Sequence, residues 1–195
     1  MAASYVFNDI LLDGVRSGVI PARSKKAREW YRDKAKSTRV TQGKLLSDAE
    51  RMRSRVLPGT MMMFVYDAKT KKKLPYYDRF PLTIIVDTAP GGFVGLNLHY
   101  LPLAQRAKLM DALYSVATNK KYDDKTRLAL NYQTLKGAAK FAAFRPCFKR
   151  YLSSQLQSKF LYVNPSEWDI ALFLPVENFK KASKSQVWKD SMSMF

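Results

Sequence analysis

Between residues 60 and 101 the chain runs through three apolar, aromatic-rich segments separated by turn-forming residues, and this stretch constrains the fold most. TMMMFVYD predicts a strand, AKTKKK a basic turn, FPLTIIVD a second strand, APGG a hairpin turn and FVGLNLHYL a third strand. In the third, alternation puts Leu96, Leu98 and Tyr100 on one face and Asn97 and His99 on the other. Strands joined by such short turns pair antiparallel. Helical patterns lie on both sides. The expected class is therefore α+β: a small antiparallel sheet or partly open β-barrel flanked by N- and C-terminal helices.

The flanks divide the chain into a basic helical arm, residues 1–57, and an α+β core domain, residues 58–195. In the arm, Ser4 to Leu12 reads as a short amphipathic helix with Tyr5, Ile10 and Leu12 as its apolar residues, interrupted by Gly14 and Gly18. Pro21 suits the first turn of the next helix, where a missing N–H costs nothing. QGKLLSDAERMRSRVL predicts a third helix, with Leu45, Leu46, Ala49, Met52 and Val56 at helical spacing and Pro58-Gly59 as its end. After the strands, LPLAQRAKLMDALYSVA places Leu103, Ala107, Met110 and Tyr114 on one stripe. DDKTRLALNYQTLKGAAKFAAF predicts another helix, KRYLSSQL a short one and SKFLYV a strand. NPSEWDIALFL predicts a helix capped by Asn164, with Pro165 in its first turn and Glu167 closing a capping box. The tail is polar, with Trp188 as its docking anchor.

Charge narrows the function. There are 34 Lys and Arg against 16 Asp and Glu, a formal net charge of +18. Self-repulsion of that size disfavours a compact chain, and a negatively charged partner relieves it. DNA or RNA is the first candidate, because each neutralised phosphate releases counterions. An acidic neighbouring protein is the second. With 47% hydrophobic residues there is material for a core, so disorder throughout is not expected. Cys147 is the single cysteine, which precludes an internal disulfide and points to a reducing compartment. The N-terminus lacks the basic, then apolar pattern of a secretory signal. No segment approaches the roughly 18 apolar residues that span a bilayer.

Catalytic constellations are thin. A Cys147–His99 pair oriented by Asn97 would need a nucleophile elbow that the sequence lacks, so His99 reads as a structural histidine. Asp67, Asp78 and Asp87 flank predicted strand ends, and Asp123, Asp124 and Glu167 are further carboxylates. Together they could hold the metals of a nuclease, yet their spacing fits no metal signature, and aspartates at strand ends usually cap turns. There is no phosphate loop and no dinucleotide fingerprint. No cofactor, metal or small-molecule substrate is expected, and the chain reads as a non-enzyme, with a metal-dependent nuclease as the alternative of another class. What remains is cations interleaved with aromatic rings. The expected DNA-binding residues are Arg23, Lys25, Lys26, Arg28, Arg32, Lys34, Lys36 and Arg39 in the arm, and Lys71, Lys72 and Lys73 in the basic turn. Trp30, Tyr31, Tyr76 and Tyr77 lie among them. In the arm, these rings either stack on bases or dock the arm on the core.

GTMMMFVYDAKTKKKLPYYDRFPL, GGFVGLNLHYLP and RAKLMDALY, followed by FRPCFKRYL, EWDIALFLP and ASKSQVWKDS, resemble a virion protein family of T-even-type tailed phages across roughly residues 59–190. The resemblance implies a structural protein without enzyme activity or cofactor. It associates the chain with protection of the ends of the packaged genome and completion of the head; a tail or baseplate component is the rival role. The implied partners are phage genomic DNA, other virion proteins, or both, with copy number set by assembly symmetry. The implied location is the virion, assembled in the bacterial host cytoplasm.

Overall fold

The computed structural model describes residues 6–19, 24–117 and 144–194. In chain order the strands are β1 (Met52–Arg53), β2 (Met61–Met63), β3 (Tyr77–Asp78), β4 (Leu82–Ala89), β5 (Gly92–Asn97), β6 (Phe148–Leu152), β7 (Phe160–Val163) and β8 (Phe179–Lys180). Six of them form one antiparallel sheet in the order β1-β7-β2-β4-β5-β6, while β3 and β8 pair separately. The sheet does not close, and the class is α+β as expected.

The hairpin of β4 and β5 is the feature the sequence marks most clearly. Pro90 presets its own φ, and Gly91 takes a φ of +71°, the residue types of a type II turn. In β2, Met61, Met62 and Met63 are all buried because the strand lies between β4 and β7 with both faces covered. One face of the sheet meets the helices: Met61, Met63, Leu82, Ile84 and Leu96 join the main core. The other face carries an aromatic cluster that includes Phe64, Tyr66, Tyr77, Phe93, Tyr151 and Phe160. Phe64 meets Tyr151 edge to face at a centroid distance of 5.1 Å, an arrangement that rings favour.

The helices are α1 (Val6–Arg16), α2 (Lys25–Ser37), α3 (Gln42–Leu46), α4 (Leu103–Ala117), α5 (Trp168–Ala171) and α6 (Lys184–Met192). Val6, Phe7, Ile10, Ala27, Tyr31, Ala35 and Leu45 of the first 57 residues share one buried cluster with Ile84, Leu109 and Trp168. No helix among the described residues is long and apolar enough to cross a membrane.

Several expected elements change. α1 passes through Gly14, whose missing side chain lets Tyr31 approach: a Cβ there would lie 3.1 Å from the Tyr31 hydroxyl. It stops at Gly18, with φ +69°, where Val19 N–H donates to Gly14 O and Gly18 N–H to Val15 O. The expected helix over 42–57 breaks after Leu46, because Arg51 turns inward and Met52–Arg53 pair with β7. Leu98–Tyr100 leave the third strand as a 3-10 turn, with the Asn97 side chain accepting from His99 N–H. KRYLSSQL is mainly the strand β6, held along β5 from Leu96↔Phe148 to Gly92↔Leu152, and then a short 3-10 turn. Tyr5, Pro21 and the helix expected in DDKTRLALNYQTLKGAAKFAAF lie outside the described residues, apart from Phe144.

Candidate nucleic-acid interface

The arm turns much of its charge inward. Arg28 grips Asp111 with two hydrogen bonds, at 2.8 and 2.9 Å, and donates a third to Asp169 at 2.8 Å. Those bonds, the Asp111 pair foremost, raise its already high pKa. Lys34 meets Asp13 at 2.6 Å, and Arg32 meets Asp33 at 3.2 Å. Lys25, Lys26, Lys36 and Arg39 remain exposed, and Arg23 lies outside the described residues. Tyr31 is buried and Trp30 packs against the core, so these two rings dock the arm.

Two more arginines serve the interior. Arg51 bonds Asp48 at 2.8 Å, Glu167 at 2.5 and 2.7 Å, and Asn8 at 2.9 Å. Glu167 also accepts from Asn164 N–H, so the expected cap feeds into this network. Arg106 of α4 is fully buried; it donates to Leu101 O, Leu172 O and Glu177 Oε1. Trp188 of α6 lies over its guanidinium at 5.6 Å and donates to His99 O, which makes Trp188 the expected anchor of the tail.

The basic turn is different. Lys71 pairs with Asp67 at 2.6 Å, and Tyr77 O–H donates to the other oxygen of that carboxylate at 2.8 Å. With the Lys71 hydrogen bond as the main cause, Asp67 sits below the usual carboxylate range. Lys69, Lys72 and Lys73 are exposed and have no carboxylate partner among the described residues. The turn is pinned from behind by Lys181, whose ammonium donates to Lys72 O and Leu74 O.

Under this turn lies a cavity of about 470 Å³ between residues 66–77 and β6. Tyr66, Tyr76, Tyr77, Tyr100 and Tyr151 line it, with Lys69, Lys149 and Arg150 as its cations. The Lys149 ammonium stands 3.8 Å from the centre of the Tyr100 ring and touches no carboxylate among the described residues. Burial holds its pKa below that of an ordinary lysine. Burial likewise raises the Tyr100 phenol.

Among the described residues Asp78 is the one acid in the lining, and its oxygens are taken up by internal partners. It accepts from Phe80 N–H at 3.0 Å, Asn97 Nδ2 at 3.2 Å and Asn178 N–H at 3.3 Å, and its other contact is His99 Nδ1 at 2.7 Å. Burial alone would push this carboxyl up; the histidine and the hydrogen bonds outweigh it and hold it below its ordinary value. His99 is thus tied to Asp78 as a structural histidine. Cys147 is buried, which pushes its thiol up to about 12 and keeps it protonated. Asp67 and Asp78 have separate partners, Asp87 is exposed, and no group of three or more His, Cys, Asp or Glu among the described residues could hold a metal ion. Asp123 and Asp124 lie outside the described residues.

The sequence singles out Lys71, Lys72 and Lys73 with Tyr76 and Tyr77, but not Lys69, Lys149, Arg150, Tyr66, Tyr100 or Tyr151, which the structure places beside them. The signal was present in FKRYL, whose cations alternate with rings at strand spacing once β6 is seen as a strand.

The family model described as phage T4 terminal DNA protecting protein matches residues 7–191. No curated protein and no solved structure matches the chain.

Proposed function

The chain belongs to the phage T4 terminal DNA protecting protein family, and from that premise we propose that it binds the end of the packaged duplex through the basic rim of the tyrosine-lined cavity. The observation that carries this reading is a set of cations without carboxylate partners among the described residues: Lys69 and Lys149 in the lining of the tyrosine cavity, and Lys72 and Lys73 in the exposed turn that also carries Lys69. Phosphate contacts from such residues position a duplex without reading its sequence, as a protein serving one genome terminus after another requires. Lys71 and Arg150 add charge to the same rim, and exposed Lys25, Lys26, Lys36 and Arg39 offer a second basic surface on the arm. Seated there, the protein shields the terminus from exonucleases and stays with the particle as the head is completed. It acts by binding and catalyses nothing. The family description, which speaks of DNA termini, favours this role over that of a tail or baseplate building block.

The test is a titration of fluorescent duplex, open-ended against hairpin-closed at both ends, across several salt concentrations. Tighter, salt-dependent binding of open ends is expected. Equal binding to both forms would replace end protection with general DNA coating. Absence of binding near physiological salt would leave an acidic protein as the partner.

A further inference from the structure

The geometry points to the cavity between residues 66–77 and β6 as the seat of a single unpaired terminal nucleotide, its base against the tyrosine faces and its phosphate on Lys149. This inference rests on the end-binding reading above.

Size comes first. A volume of about 470 Å³ falls within the range of small-ligand sites and is far too small for a base pair with its two backbones. Only one nucleotide, drawn out of the stack, can enter. Unstacking is least costly where a base is already unpaired or frayed, and a duplex terminus is such a place. The chemistry of the wall comes next. Aromatic side chains accept any base, because every base has a π-face. The rings are fixed before a ligand arrives: the Tyr66 hydroxyl oxygen accepts from Leu152 N–H at 3.2 Å, and Tyr77 O–H donates to Asp67. Tyr76 and Tyr100 lie 6.0 Å apart with their planes tilted by 40°.

Charge completes the argument. Lys149 is a partly buried ammonium with a ring on one side and no carboxylate in contact among the described residues. A phosphate is the partner such a group lacks. Asp78, the carboxylate among the described lining residues, has its oxygens taken up by His99, Asn97 and two backbone N–H groups, whose dipoles turn their positive ends toward it and offset part of its field. Lys69 of the turn above adds a second cation to the lining, and Lys181 pins that turn from behind. Such a pocket tells an open end from the middle of a duplex: internal bases are stacked and paired on both sides and cannot reach it.

The experiment uses the full chain and four DNAs of equal length: blunt, with one unpaired 3′ nucleotide, with one unpaired 5′ nucleotide, and hairpin-closed at both ends. A fifth arm is deoxynucleoside monophosphate alone, which separates a free-nucleotide site from a DNA-end site. Wild-type protein is expected to favour one of the two extended ends over the hairpin form by about tenfold or more. 2-Aminopurine at the unpaired position should change emission on binding, while the same base several pairs inside should not. Lys149→Met and Tyr76→Leu, each checked by thermal unfolding, should lose most of the preference, their affinity for the extended ends falling further than their affinity for hairpin DNA.

Equal binding of open and closed ends by wild type overturns the end-binding reading and this inference with it. A wild-type preference for open ends that both folded variants retain, or 2-aminopurine emission that responds alike at both positions, overturns the pocket assignment alone. Monophosphate binding as tight as that of the extended ends also overturns it, in favour of a free-nucleotide site.

Discussion

The arm and the turn over the cavity carry similar runs of cations, yet the arm commits several of its own to internal acids where the turn commits only Lys71 among the described residues. In the arm, Arg28, Lys34 and Arg51 meet Asp111, Asp169, Asp13, Asp48 and Glu167, and the two rings Trp30 and Tyr31 fold inward. In the turn, Lys71 alone has a carboxylate partner among the described residues, and the rings beneath line a cavity. Cation density therefore does not locate a binding surface; the placement of carboxylates does. A basic stretch near acids of its own chain reads as cement, and one without them reads as a surface awaiting an anion.

Charge removal in the two regions should separate these roles. The largest effect is expected from Arg51→Ala. It strands Glu167 and Asp48 in the interior, and breaking a buried pair from one side costs about 3–5 kcal/mol. Denaturant unfolding should show that loss, while DNA binding by the folded fraction keeps its salt slope. A changed slope with unchanged stability would invert the contrast. Next comes the triple substitution Lys69→Ala, Lys72→Ala and Lys73→Ala. Stability should hold, and the slope of log affinity against log salt should shrink by about 0.9 for each phosphate that is no longer neutralised. An unchanged slope would move the DNA surface to the arm.

Alkaline unfolding sharpens the contrast further. Burial raises Tyr100 and Tyr151 at the cavity, Cys147 in the main core and Tyr31 in the arm above their ordinary values. The unfolded chain releases these protons first, beginning near pH 9 for the thiol, while the fold still holds them. Stability is therefore whole below pH 9 and falls as pH rises from there, by at most about 1.4 kcal/mol per pH unit for each group. Replacing Cys147 with Ala should make the first part of that decline shallower. The smallest effect is expected from Ser24→Ala, which removes the oxygen that accepts Ala27 N–H at the start of α2. It should cost about 1 kcal/mol and leave DNA binding untouched.

Legibility in the sequence followed the range of the interactions. The hairpin of β4 and β5 was readable because alternation and Pro90-Gly91 are local signals, and α4 and the segment after Asn164 were readable for the same reason. β6 was not, since FKRYL becomes a strand only by lying along β5, some fifty residues earlier. The structural arginines were hidden by distance too: Arg51 finds Glu167 116 positions away, and Arg106 finds Glu177 71 away. Both read as surface cations in a helical pattern. At the candidate site, the lysine turn was visible as composition, but its partner wall required knowing that Tyr66, Tyr100 and Lys149 come together from three separate segments.

The strand order also sets a timetable. β7 fills the place between β1 and β2, although it is made long after both. While the ribosome works through the intervening chain, Met61, Met62 and Met63 can pair with β4 on one side only. Their other edge stays open, apolar and flat, a template for any strand nearby. A cell making many copies at once exposes many such edges together. The hazardous interval in the life of this protein thus falls before its last inner strand leaves the ribosome, and it ends when Phe160–Val163 slides into the gap.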